Sequence, residues 1–225
     1  MLASKRTALF ALHQRLGARM TVFGGFEMPV SYSGIVAEHR AVRAAAGIFD
    51  LSHMGEFEIR GPRALPLLER TLTNSAARLG DRQAQYTLLC AEDGGAIDDL
   101  IVYRLGAERY LLCVNASNID ADREWLMSRN TDGAELRDRS DETALVAMQG
   151  PRSVAILARL AAFDLAAVPR FHFAEGDVAG VRVLAARTGY TGEDGFELFA
   201  DPEHATDLFE ALLDTGARDG LVPCG

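Results

Sequence analysis

The period of apolar and polar positions changes several times along this chain, and each change predicts an element. Apolar residues return every three or four positions over 36–46, 64–72, 118–129, 153–161 and 204–215, the spacing of helices with one buried stripe. Shorter runs rich in β-branched and aromatic residues predict strands over 55–60, 86–90, 97–104, 110–115, 144–149 and 178–186. Near the N-terminus Leu9, Leu12 and Leu16 fall on one side of a further amphipathic helix. Gly61-Pro62 and Gly150-Pro151 each follow a predicted strand and precede a predicted helix, where proline suits the first helical turn. This repeated strand, Gly-Pro, helix unit points to two similar subdomains. Helices interleaved with short strands predict an α+β fold with mainly antiparallel sheets.

Polar residues inside the apolar runs mark the candidate chemistry. After Gly94-Gly95, Asp98 and Asp99 interrupt the run Ile97, Leu100, Ile101, Val102 and Tyr103. A carboxylate taken out of water costs several kcal/mol unless something pairs with it, so the pair needs an explanation. Strand alternation places Ile97, Asp99, Ile101 and Tyr103 on one face and Asp98, Leu100 and Val102 on the other. Asp99 and Tyr103 then border one cavity; in the plainer reading both acids cap the turn before the strand. A second segment, Arg187-Thr188-Gly189-Tyr190-Thr191-Gly192-Glu193-Asp194-Gly195, reads either as a loop whose backbone approaches a ligand closely or as an ordinary hairpin connection. In Phe196-Glu197-Leu198, alternation sends the apolar pair to the core and leaves Glu197 facing away beside that loop. Taken alone, Glu197 is a solvated strand residue.

Composition narrows the chemistry. A chain of 225 residues at 48% hydrophobic can bury a sizeable core, in one or two domains. A net charge of −9 argues against nonspecific binding to nucleic-acid backbone. Lys5 is the only lysine, which excludes lysine Schiff-base chemistry. Cys90, Cys113 and Cys224 are far apart, odd in number and flanked by apolar residues, so buried free thiols in a reducing compartment are expected. The five histidines and three cysteines lack metal-ligand spacing, and no metal is expected. No apolar run reaches the ~18 residues that a membrane span requires.

Several motifs in order carry a family resemblance: Thr7-Ala8-Leu9-Phe10, Phe23-Gly24-Gly25-Phe26-Glu27-Met28-Pro29, Ala41-Val42-Arg43, Gly47-Ile48-Phe49-Asp50-Leu51-Ser52-His53-Met54-Gly55-Glu56, Val114-Asn115-Ala116-Ser117-Asn118, Met148-Gln149-Gly150-Pro151, and the segments 94–103 and 187–198. With these the chain resembles aminomethyltransferase, the T-protein of the glycine cleavage system, over nearly its whole length. Lys5, Arg6, Arg15 and Arg19 precede the first acid, Glu27, a bias shared with organellar transit peptides. The resemblance already begins near Thr7, so an amphipathic first helix of a cytoplasmic protein is the better account.

The resemblance implies a folate-binding T-protein-like fold, with 1–50 plus 139–225 forming a first, discontinuous subdomain and 51–138 a second, inserted one. It implies transfer of a methylene from an aminomethyl group on the lipoyl arm of H-protein to tetrahydrofolate, with release of ammonia. Asp99 matches the catalytic aspartate beside the folate nitrogens, and Asp98 then faces away as a structural or solvated residue. Glu197 matches the carboxylate at the pterin edge, where two donors suit bidentate acceptance. Tyr86, Tyr103 and Tyr190 match positions lining the pterin and aminobenzoyl groups. Asn115 matches a pocket residue, and Met54 a residue at the entry of the lipoyl arm. The acids at 99 and 197 are thus expected to converge on one hollow shaped for a flat bicyclic ring.

His53 reads either as a general base or as a hydrogen-bonded structural residue. Family members continue past the equivalent of Leu221-Val222-Pro223-Cys224-Gly225 with an arginine-containing segment and a barrel-like domain, so a chain lacking that third domain is expected. The default oligomeric state is a monomer. Two alternatives share the architecture: a folate-holding fragment without turnover, and the one-carbon-capturing domain of sarcosine and dimethylglycine dehydrogenases. The latter proteins carry an upstream flavin domain, and no Gly-x-Gly-x-x-Gly fingerprint stands near the start of this chain. A relative that supports iron–sulfur proteins carries a Lys-Gly-Cys-Tyr motif, which the single lysine excludes.

Overall fold

A computed structural model of the chain describes residues 4–225. The chain divides into two compact units, Met1–His53 with Glu142–Gly225, and Met54–Asp141. The first unit opens with α1 (Phe10–Arg15), β1 (Arg19–Phe23), β2 (Phe26–Ser31), α2 (Ile35–Ala44) and β3 (Ala46–Asp50). The second comprises β4 (Gly55–Arg60), α3 (Ala64–Thr71), β5 (Ala84–Cys90), β6 (Ala96–Gly106), β7 (Arg109–Val114), α4 (Ile119–Arg129) and β8 (Glu135–Asp138). The chain then returns to the first unit with β9 (Ala144–Gln149), α5 (Ser153–Leu157), β10 (Phe173–Val178), β11 (Val181–Ala186), β12 (Gly195–Ala200), α6 (Ala205–Gly216) and β13 (Leu221–Pro223).

In the first unit, strands in the order β10-β11-β12-β9-β3-β13 form one sheet, antiparallel except where β13 runs parallel to β3, and β1-β2 form a separate hairpin. Its core joins Ile48, Val146, Met148, Phe196 and Leu198 from the sheet to Leu9 and Leu12 near α1, Ile156 of α5, and Leu208, Phe209 and Leu212 of α6. Beside this core the buried Asp50 carboxylate accepts from Thr7 Oγ1 at 2.7 Å and meets His13 Nε2 at 2.9 Å, while Tyr32 OH lies 2.8 Å from His13 Nδ1. In the second unit the antiparallel order is β5-β6-β7-β4-β8. Leu89, Leu100, Val102 and Leu112 turn one face of that sheet to Leu67 and Leu68 of α3 and Leu126 of α4. The fold is thus α+β with mainly antiparallel sheets. Among the described residues no helix is long and apolar enough to cross a membrane.

Four sequence expectations change in detail. The run 178–186 is not one strand: Ala179 and Gly180, at φ 52° and 79°, turn the chain between β10 and β11. Helix α2 stops at Ala44, because Ala46–Asp50 enters the sheet beside β9. Regular α-helix after Pro151 ends at Leu157, and turns carry the chain to Ala161. Leu9 and Leu12 are buried as the amphipathic pattern predicts, but Leu16 lies just past the end of α1 and is exposed. Both Gly-Pro pairs do sit between a strand and a helix. At Gly150 (φ 131°) a Cβ would come within 2.6–2.7 Å of the backbone of Val42, Ala45 and Ala46, which is why that corner requires glycine.

Candidate functional site

Strand pairing in the second unit determines which predicted residues share a face. Tyr86 stands opposite Ile101, Leu88 opposite Asp99, and Tyr103 opposite both Ala84 and Leu111. Because side chains alternate, Tyr86, Asp99 and Tyr103 emerge on the sheet face opposite the helix-covered core. Tyr103 is fully buried, Tyr86 is 47% exposed and Asp99 is half-buried. Ile97 departs from its predicted face and packs against the helix-side core, since the β5–β6 register shifts between Leu89 and Cys90 and a bulge resets the alternation there. Met54 immediately precedes β4, whose first residue, Gly55, pairs with Val114, the residue before Asn115.

Asn115 joins both acids. Its Nδ2 donates to the Asp98 Oδ1 at 2.9 Å, the Asp99 carbonyl at 2.9 Å and Asp99 Oδ1 at 3.2 Å. Asp98 Oδ2 accepts from the Asn115 backbone N–H at 3.0 Å, and Asp98 Oδ1 accepts from Asn118 Nδ2 at 2.7 Å. Burial acts to raise the Asp98 carboxyl, but these donated bonds outweigh it and hold the group below its ordinary range. The buried Asp98 is therefore a structural anchor, as its opposite-face position implied, and both acids lie within the strand rather than capping a turn. Asn118 and Asp122 complete this anchor and were not singled out from the sequence. Their signal was the spacing Asn115, Asn118, Asp122, which faces one side of a helical turn.

The first unit holds the other two candidates. Glu197 lies in β12 between Ala147 of β9 and Ala186 of β11, and it is only 9% exposed, so the solvated reading fails. Its neighbours end at Cβ and offer no polar partner; Thr188 Oγ1 donates to Glu197 Oε2 instead. Tyr190 is 97% exposed and borders a hollow of about 350 Å³ lined also by Glu38, His39, Arg43, Phe49 and Cys224. Glu38 in that wall is committed to structure, its Oε1 accepting the N–H groups of Tyr32, Ser33 and Gly34 at 2.7–2.8 Å.

Two of the three glycines of the 187–198 loop, Gly189 and Gly195, serve packing. A Cβ at Gly189 or Gly195 would fall 2.2–2.7 Å from the buried Gln149 side chain. That side chain ties the loop down, with Nε2 donating to the Thr188 carbonyl at 3.0 Å and Oε1 accepting from Thr191 Oγ1 at 3.1 Å. His53 is buried against the rings of Phe23 and Phe26, centroids 5.6 and 6.5 Å away, and its Nδ1 has no hydrogen-bond partner among the described residues. Burial lowers its pKa despite the Asp50 charge. The ring is packed against two phenylalanines, the setting of a structural residue.

Residues 9–225 match the family described as the GCVT N-terminal domain. The chain is 52% identical to an aminomethyltransferase of Geobacillus kaustophilus and 50% identical to one of Chloroherpeton thalassium, each over 222 residues. These alignments cover 98% of this chain and 61% of either relative, so the chain spans about three fifths of the length of the curated relatives it matches. Among solved structures, the aminomethyltransferase T of the glycine cleavage system from Bartonella henselae superposes with a TM-score of 0.89 at 34% identity, over 98% of this chain and 59% of that one. A heterotetrameric sarcosine oxidase from a Corynebacterium shares the fold alone, with a TM-score of 0.62 at 16% identity over 84% of this chain and 94% of that one. By sequence and by fold, the chain belongs to the GCVT N-terminal domain family, and it is similar over that domain to aminomethyltransferases.

Proposed function

We propose that this chain binds tetrahydrofolate and acts in the glycine cleavage reaction, receiving a methylene from the aminomethyl group on the lipoyl arm of H-protein and releasing ammonia. One observation carries this reading: the second unit's sheet brings Tyr86, Asp99 and Tyr103 to one face, with the Asn115 amide fixed on Asp99. In the reaction, two C–N bonds form at the folate nitrogens while the bonds from the methylene to ammonia and to sulfur break. The two folate amine protons leave with ammonia and the thiol. Asp99 orients the folate amine and steadies the iminium-like cation by position and charge. The carboxylate of Glu197 accepts the two-donor edge of the pterin. Tyr86 and Tyr190 supply aromatic surface, Tyr103, buried on the Asp99 face, borders the site from within the fold, and Met54 lies at the entry of the lipoyl arm. The setting is a reducing cytoplasm, where Cys90, Cys113 and Cys224 stay free, and the protein works as a monomer.

Calorimetry with tetrahydrofolate, paired with a methylene-transfer assay using lipoylated H-protein, tests the proposal. Tetrahydrofolate is expected to bind, and Glu197→Gln to weaken it by roughly 10- to 100-fold, the worth of a charge-assisted pair. Asp99→Asn is expected to remove transfer while leaving most of the affinity. Binding without transfer in the unaltered chain would instead identify a folate-holding module, and absence of binding would overturn the reading.

A further inference from the structure

Asp122, on the first turn of α4, is fully buried, and no donor group among the described residues reaches either of its carboxylate oxygens. Its contact is the Asp98 carboxylate, which already accepts three hydrogen bonds from Asn115 and Asn118. Two carboxylates within hydrogen-bonding reach of each other, one of them fully buried, do not both hold a charge without a cation between them. The charged groups on the neighbouring elements are engaged elsewhere or lie apart. Arg70 of α3 pairs with Asp132, Glu69 accepts from Ser75 and Ala77, and Arg129 of α4 pairs with Glu92. On β6 Asp99 holds Asn115, and Arg104 pairs with Asp81; on α4 itself Asp120, Arg123 and Glu124 remain, and the charge that acts on Asp122 is that of Asp98.

Asp98, given three donors, keeps the charge, and the single proton belongs on Asp122. We propose that Asp122 is protonated in the folded protein and donates that proton to Asp98, acting through Asp98 and the shared Asn115 amide as a positioning residue for Asp99. Its importance for catalysis rests on the folate reading above; the proton-sharing pair does not. Burial, then the bond and charge of Asp98, raise the Asp122 carboxyl to about 8, in keeping with this geometry. As the solution becomes alkaline the proton leaves, Asp98 and Asp122 repel, and the Asn115 amide that both Asp98 and Asp99 share shifts.

The intact chain, carrying aspartate labelled with carbon-13 at the side-chain carboxyl, would be followed by NMR across pH 3–10, the Asp122 signal being the one lost in Asp122→Asn. The expected result is an Asp122 midpoint near pH 8 rather than near 4, with the Asn115 amide and Asp99 signals moving at that same midpoint. In Asp122→Asn, which keeps a donor toward Asp98, the alkaline step in Asn115 and Asp99 should vanish. Asp122→Ala, which has no donor, should displace both signals at every pH. An acid of merely structural importance would change stability without producing the coupled step. Titration of Asp122 below about pH 5, or Asn115 and Asp99 signals indifferent to it, would overturn the proposal. Neither readout uses folate, so a failure to bind tetrahydrofolate would count against the functional reading alone.

Discussion

Replacing Asp98 by alanine isolates the buried anchor beneath Asp99. Three donated bonds end on Asp98: from the Asn115 backbone N–H, the Asn115 side-chain amide and the Asn118 amide. The Asn115 amide keeps the Asp99 oxygens as acceptors, so two donors are orphaned, together with the proton of Asp122. An orphaned buried donor costs about 1–3 kcal/mol, and the lower end applies because Asn115 and Asn118 are only partly buried. Summed over three groups the loss is about 3 kcal/mol. The only tryptophan, Trp125, lies on α4 in the same unit, so its fluorescence reports unfolding there. At a urea slope of about 2 kcal/mol/M the midpoint should fall by about 1.5 M. Asp98→Asn, which retains one acceptor oxygen, should lose about half as much. A midpoint for the alanine variant within ~0.3 M of wild type would refute the claim that Asp98 holds this corner together.

Two further outcomes follow from packing and charge. Gly195→Ala would place a Cβ 2.3 Å from the Met148 carbonyl and 2.7 Å from the Gln149 side chain, and backbone cannot yield; a loss of about 3 kcal/mol in thermal or urea unfolding is expected, whereas Gly106→Ala, with open space at its Cβ, should be nearly neutral. Glu58, whose side chain is fully buried, is held by Arg60 at 2.7 and 2.8 Å, Arg109, and Arg139 at 3.3 Å, and against burial Arg60 and Arg109 bring its carboxyl down to about 2. A carboxyl depressed on folding contributes stability that is present above about pH 4 and lost as pH falls toward 2. Glu58→Gln should therefore flatten the acid limb of stability between those values, and an unchanged limb would exclude Glu58 as its source.

Hydrophobic period is a local property, and what depends on it was legible in the sequence. The strands 55–60 and 144–149, the helices near 64–72 and 204–215, both Gly-Pro corners and the α+β class follow from which positions must avoid water. The shared face of Asp99 and Tyr103 also followed, because strand alternation fixes it. Where local signals ran together the reading slipped: an apolar stretch from Val178 to Ala186 conceals a two-residue turn, and a bulge moved Ile97 to the other face.

The partners of the buried charges belong to the tertiary structure alone. Asp98 is an anchor because Asn115 and Asn118, brought up by β7 and the turn into α4, aim their amides at it. Glu197 is shielded because alanines flank it on both neighbouring strands, and Gly189 and Gly195 are needed because Gln149 fills the space against them. A sequence states which charges enter the fold, since desolvation penalises each one wherever it sits. Which group compensates each charge depends on backbone segments meeting across long separations in the chain, and only folding decides that.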